Sequence, residues 1–187
     1  MQVMSDEIFK VSGGALGVAG DITVNAPLTI SGGTLTAATA AGAPLAIAGG
    51  TLASAVVSGS LTYSSSGGTL DGVTVNGTLS PTGAGTPAVT IVNGLVLNGS
   101  ANVGVGAVSS RLDFSGTQTL SGSGQVLLSA AGANGLNPTS GTLTIGPGLL
   151  VHGHSGTVGS ALRGLMNQGT IRADVSGGAL TVTGAGW

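Results

Sequence analysis

Few side chains in this sequence can do chemistry, and their spacing limits what they could do. The 187 residues hold six acids, four bases (Lys10, Arg111, Arg163 and Arg172), two histidines and no cysteine. His152 and His154 stand two apart, so on a β-strand both would project from one face and offer two imidazoles to a metal that still needs a third ligand. No acid lies beside them in sequence, which makes solvent-facing histidines the expectation. Arg111-Leu112-Asp113 and Arg172-Ala173-Asp174 each set opposite charges on one strand face. A polysaccharide-cleaving centre would need clustered carboxylates or a base beside a bound sugar. Asp6 and Glu7 are adjacent, but Asp21, Asp71, Asp113 and Asp174 are widely separated, so the two Arg/Asp pairs read as surface ion pairs worth under about 1 kcal/mol each.

Other chemistries fail on context. A Ser-His-Asp relay on a Gly-x-Ser-x-Gly elbow requires a strand-to-helix turn, and helical spacing is scarce here. A calcium β-roll requires a repeated Gly-Gly-x-Gly-x-Asp, which the stretch from Gly13 to Asp21 matches only superficially and only once. Thr34-Leu35-Thr36, Thr117-Gln118-Thr119, Thr142-Leu143-Thr144 and Thr181-Val182-Thr183 would each show two hydroxyls on one face. A flat array of them could bind ice, although threonine also simply favours strands. For sugar stacking the main ring candidates are Tyr63, Phe114 and Trp187, too few for a platform. No catalytic residue, cofactor ligand or metal ligand is therefore assigned, and the chain is expected not to be an enzyme.

The elements that carry these residues are written in the composition. Hydrophobic residues make up 41% and charged ones 5%, the opposite of a solvated disordered chain. Aromatics are only 2%, so burial must come from many small aliphatic groups. A net charge of −2 with four scattered bases offers no basic stripe for nucleic acid. The stretch from Ile22 to Leu70 carries no charge, but Gly, Pro, Ser and Thr interrupt it before a membrane span could accumulate, so no membrane insertion is expected. The absence of cysteine suits a protein that folds outside the cell without oxidative help.

The triplet Gly-Thr-Leu, or a close variant, recurs at Gly14, Gly33, Gly50, Gly59, Gly68, Gly77, Gly141, Gly169 and Gly178. From Gly50 to Gly77 the steps are nine residues, and the steps from Gly14 to Gly33, Gly50 and Gly68 are 19, 17 and 18. Apolar and small polar residues alternate within the units, as in Asp21-Ile22-Thr23-Val24-Asn25, the period of a strand with one buried face. Asn76-Gly77, Asn93-Gly94, Asn98-Gly99 and Asn134-Gly135 supply sharp corners. Coils near 18 residues, about ten in number and stacked at about 4.8 Å, would meet these constraints. The competing arrangement is an antiparallel sandwich, because Asn-Gly also favours two-residue hairpins.

The run from Gly141 to Ile145, the segment from Val151 to Gly159 and the segment from Leu165 to Val175 resemble the strand repeats of giant bacterial surface proteins, the filamentous-haemagglutinin-like adhesins and autotransporter passengers. The resemblance covers nearly the whole chain and is strongest from Gly141 onward. It implies a single-stranded right-handed parallel β-helix, export to the cell surface or medium, and adhesion or matrix scaffolding, with a host or matrix surface as ligand. The expected organisation is an N-terminal leader or cap over 1–10 and a β-solenoid repeat domain over 11–187, cut from a longer array. Ser5-Asp6-Glu7 could open a short capping helix, with Ile8 and Phe9 over the coil end. At the other end the strand-like run before Trp187 carries no charge, so self-association through coil ends is expected. The alternatives are a polysaccharide-binding or polysaccharide-cleaving β-helix and, third, an ice-binding threonine array.

Overall fold

In the recurring triplet each residue has its own task. The glycine turns the chain, the threonine faces out and the aliphatic residue faces in, which is the two-residue period of a strand with one wet face. The computed structural model describes residues 2–3, 9–24, 26–129 and 132–185. They form 21 strands in one continuous sheet, and every strand pairing is parallel, so the chain is a β-solenoid and not an antiparallel sandwich. Eight complete turns run over 9–24, 28–42, 45–57, 60–75, 78–97, 100–121, 125–145 and 150–167, followed by two strands of a ninth. The expected ten coils are thus about eight, near 40 Å at ordinary strand spacing.

Each turn contributes to three strand columns. The first passes through Leu45–Ile47, Ser60–Tyr63, Thr78–Pro81, Ser100–Val103, Gln125–Leu128, Leu150–Gly153 and Thr170–Ala173. The second includes Thr51–Ala53, Arg111–Phe114, Gly135–Pro138, Ser155–Ser160 and Ala179–Gly184. The third includes Val56–Val57, Gln118–Ser121, Thr142–Ile145 and Gly164–Asn167. Longer strands such as Phe9–Val24, Leu28–Gly42, Thr69–Val75 and Ala88–Leu97 bend from one column into another.

This arrangement explains the nine-residue step. Gly50 and Gly68 lead into the second column, whereas Gly59 and Gly77 lead into the first, so one motif marks two corners of the same turn. The first-column corner needs glycine for space. A Cβ on Gly99 would strike the carbonyl oxygen of Gly77, and one on Gly124 the carbonyl of Gly99. The inward residues form in-register ladders, among them Leu28-Leu45-Leu61-Leu79 and Leu35-Leu52-Leu70-Ile91-Phe114, and all of these are buried. Burial of each such side chain contributes about 1.5–3 kcal/mol.

Coil length is not constant. Register offsets lie between 16 (Leu45 to Leu61) and 20 (Ser12 to Gly32) among the first four turns, but reach 22 from Thr78 to Ser100 and 25 from Leu95 to Leu120. Much of the added length sits between the first and second columns, in 82–87, 104–110 and 129–134. A coil of about 18 residues therefore describes only the first four turns.

Gln2–Val3 pairs in parallel with Thr23 and Val24, and Phe9 and Lys10 already belong to the first long strand. Ser5, Asp6, Glu7 and Ile8, invoked for a cap, lie outside the described residues, as does Trp187. At the other end Thr170–Ala173 and Ala179–Gly184 have no strand beyond them among the described residues, and Ile171, Leu180 and Val182 are only partly buried.

Candidate functional site

The two histidines do not share a ligand set. His152 projects outward from the first column, and its Nδ1 lies 2.9 Å from Oδ2 of Asp174 in the next turn. Arg172, in register with His152, donates from Nη2 to the same oxygen at 2.9 Å. Burial pushes the Asp174 pKa up, but hydrogen bonds and charges from His152 and Arg172 outweigh it and hold the carboxyl below its ordinary range. Nε2 of His152 is buried without a partner. His154 turns to its neighbour instead, with Nδ1 2.6 Å from the Ser155 hydroxyl. Among the described residues no group of three or more His, Cys, Asp or Glu could hold a metal ion. The carboxylate partner of His152 is hidden in the sequence because it stands 22 residues away, a separation that becomes contact only through the register of the last turns.

The remaining carboxylates are dispersed along the rod. Asp113 accepts from Nε of Arg111 at 3.3 Å and from Nδ2 of Asn137 in the next turn at 2.8 Å. Asp71 accepts from Nδ2 of Asn93 at 2.6 Å. Asp71 and Asp113 sit two turns apart, about 10 Å at ordinary strand spacing, wider than a paired-carboxylate hydrolysis prefers. Asp6 and Glu7 lie outside the described residues. Both expected Arg/Asp pairs form at the surface, each extended by a partner one turn away.

Two groups of polar side chains are buried. Gln118, at the corner between the second and third columns, donates from Nε2 to the carbonyls of Ile91 and Ser115, both at 2.8 Å, and accepts from the N–H of Gly94 at 3.0 Å. At the corner between the first and second columns the Tyr63 and Ser110 hydroxyls are 2.9 Å apart. The Gly104 N–H donates to Ser110 Oγ at 2.7 Å, and the Ser110 N–H donates to Oδ1 of Asn134 at 3.1 Å. Burial pushes the Tyr63 phenol far above its ordinary pKa, so it stays protonated. Each polar atom so engaged avoids the cost of about 1–3 kcal/mol for an unpaired buried group.

Two expectations for ligand surfaces change. Tyr63 and Phe114 are fully buried, so neither can stack on a sugar. The alternation in Leu61-Thr62-Tyr63 and Leu112-Asp113-Phe114 places each ring on the side of its inward leucine, a local signal that could have excluded both rings from the surface. Of the four Thr-x-Thr segments, Thr117-Gln118-Thr119 and Thr142-Leu143-Thr144 stack on adjacent turns of the third column, but Thr34-Leu35-Thr36 and Thr181-Val182-Thr183 lie on the second, so the four do not form one two-row array. Thr34, Thr51, Thr69 and Thr90 do form a single in-register row, but the row beside it reads Thr36, Ala53, Asp71 and Val92.

Two shallow concavities, open to solvent, flank the third column. One, of about 430 Å³, is lined by residues including Gly72, Asn93, Gly94, Thr117 and Thr119, and the other, of about 340 Å³, by Asn98, Ser100, Ser123 and Gln125 among others. Their polar groups are amides and hydroxyls. Among the described residues no helix is long and apolar enough to cross a membrane. Searches of known protein families, curated proteins and solved structures find no match to this chain.

Proposed function

We propose that this chain is a non-catalytic structural or adhesive β-solenoid module of a secreted or cell-surface bacterial protein, which associates end to end into longer fibres. The observation that carries the reading is the uninterrupted parallel stack. Eight turns share three columns, and the carboxylates Asp71, Asp113 and Asp174 join neighbouring side chains instead of converging on one point. Such a stack supplies length and stiffness. The resemblance to filamentous-haemagglutinin-like and autotransporter repeats supports export, and the right-handed sense proposed for the coil is the one that parallel crossovers favour.

End-to-end association would continue the same ladder, since every strand pairing in the stack is parallel and in column and a second copy can add its strands in the same way. Sedimentation over a wide concentration range tests it. The expected result is concentration-dependent assembly that weakens when the outward Thr181 or Thr183 is changed to Lys. A persistent monomer at high concentration would overturn the association.

The second reading, polysaccharide binding, is favoured by the two concavities lined with amides and hydroxyls. Saturation-transfer NMR with neutral oligosaccharides separates the two readings. Contact at Asn93 or Gln125 would support the second.

A further inference from the structure

Four Asn-Gly pairs lie at corners of this rod, and their surroundings are not alike. In such a pair the glycine nitrogen can attack the asparagine side-chain carbonyl. The N–Cγ bond forms, the Cγ–Nδ2 bond breaks, and Nδ2 departs as ammonia with the proton surrendered by the peptide nitrogen. Water then opens the resulting imide at either carbonyl to give aspartate or isoaspartate. The step begins only when the glycine N–H is released from its hydrogen bond.

In three of the pairs that N–H is donated to a main-chain carbonyl of the preceding turn. Gly77 donates to Val57 O at 3.3 Å, Gly99 to Val75 O at 3.2 Å and Gly135 to Ser110 O at 3.1 Å, so release requires two turns to part. Asn134 is also buried within the Ser110 network. Gly94 differs, because its N–H is donated to a side chain, Oε1 of Gln118 at 3.0 Å. Release there needs one side chain to leave its place, with loss of the Gln118 hydrogen bonds to the carbonyls of Ile91 and Ser115, and does not need a main-chain bond between turns to part. Asn93 is exposed, holds a strained positive φ of 56°, and sits where the register between Thr69–Val75 and Ala88–Leu97 slips.

We propose that Asn93 is the site of spontaneous deamidation in this protein and that Gln118 sets its rate by holding the Gly94 N–H. The product has a structural consequence. Nδ2 of Asn93 donates to Asp71 at 2.6 Å, so conversion replaces a donor by a second carboxylate and turns a cross-turn hydrogen bond into a like-charge contact on the rim of the larger concavity.

Peptide mass mapping of the full chain aged in mildly alkaline buffer tests this, with isoaspartate distinguished by chromatography. In the folded wild type, Asn93 is expected to convert several-fold faster than Asn76, Asn98 or Asn134. Gln118→Ala is expected to accelerate Asn93 several-fold further while leaving the other three unchanged. In the urea-unfolded chain the four rates should converge. Equal rates in the folded protein would overturn the site. Acceleration of all four by Gln118→Ala would indicate general loosening and overturn the gate, as would no acceleration at Asn93.

Discussion

The four turns before Thr78 and the four that follow build one lattice in two ways. The earlier turns keep register offsets of 16 to 20 and cross their corners in a few residues, so aliphatic ladders such as Leu35-Leu52-Leu70 fill the interior with little polar help. The later turns carry 20 to 25 residues and must hold longer corners. They do so with buried Gln118, Ser110 and Asn134, whose hydrogen bonds link the corners of successive turns. Strand columns tolerate insertion because the added residues leave at a corner, whereas a change within a strand would shift every inward side chain to the wrong face.

Aliphatic packing and buried polar ties should therefore cost different amounts to break. Phe114 stands in a ladder of buried side chains between Ile91 and Pro138, and Phe114→Ala is expected to lose about 3–5 kcal/mol in denaturant unfolding, the usual cost of emptying such a site. Asn134→Ala removes the acceptor for the Ser110 N–H and should cost about 1–3 kcal/mol. If truncation of Asn134 cost nothing, the later turns would not depend on their polar corners. The smallest effect is expected at the Asp174 cluster. Its carboxyl is held below the ordinary range in the folded state, so the stability it contributes is present above the ordinary carboxylate pKa and is lost as pH falls through the lowered value. Asp174→Asn should flatten that acid dependence in unfolding measured against pH, and leave stability below the lowered value unchanged.

The same division governs how much was legible in the sequence. The Gly-Thr-Leu triplets disclosed the solenoid because glycine corners and alternating strands are local features. Coil length was legible only where the triplets are evenly spaced, up to Gly77. Beyond it, 82–87, 104–110 and 129–134 vary in length and follow no period, so nothing local sets the register. Contacts that depend on that register, such as His152 with Asp174 or Gln118 with Gly94, were hidden for the same reason. The burial of Tyr63 and Phe114 was readable from alternation alone.

The parallel register is the claim on which the rest depends, and cysteine pairing reads it directly in a chain that has no cysteine of its own. Thr51 and Thr69 face outward on adjacent turns of the second column, 18 residues apart and in register. Neighbouring strands lie about 4.8 Å apart, within the Cα separation a disulfide accepts. The double variant Thr51→Cys/Thr69→Cys should form an intramolecular disulfide under mild oxidation and migrate as a closed loop. The control Thr51→Cys/Ser60→Cys, which joins two different columns, should stay reduced. Failure of the first pair with closure of the second would contradict the stacked parallel turns.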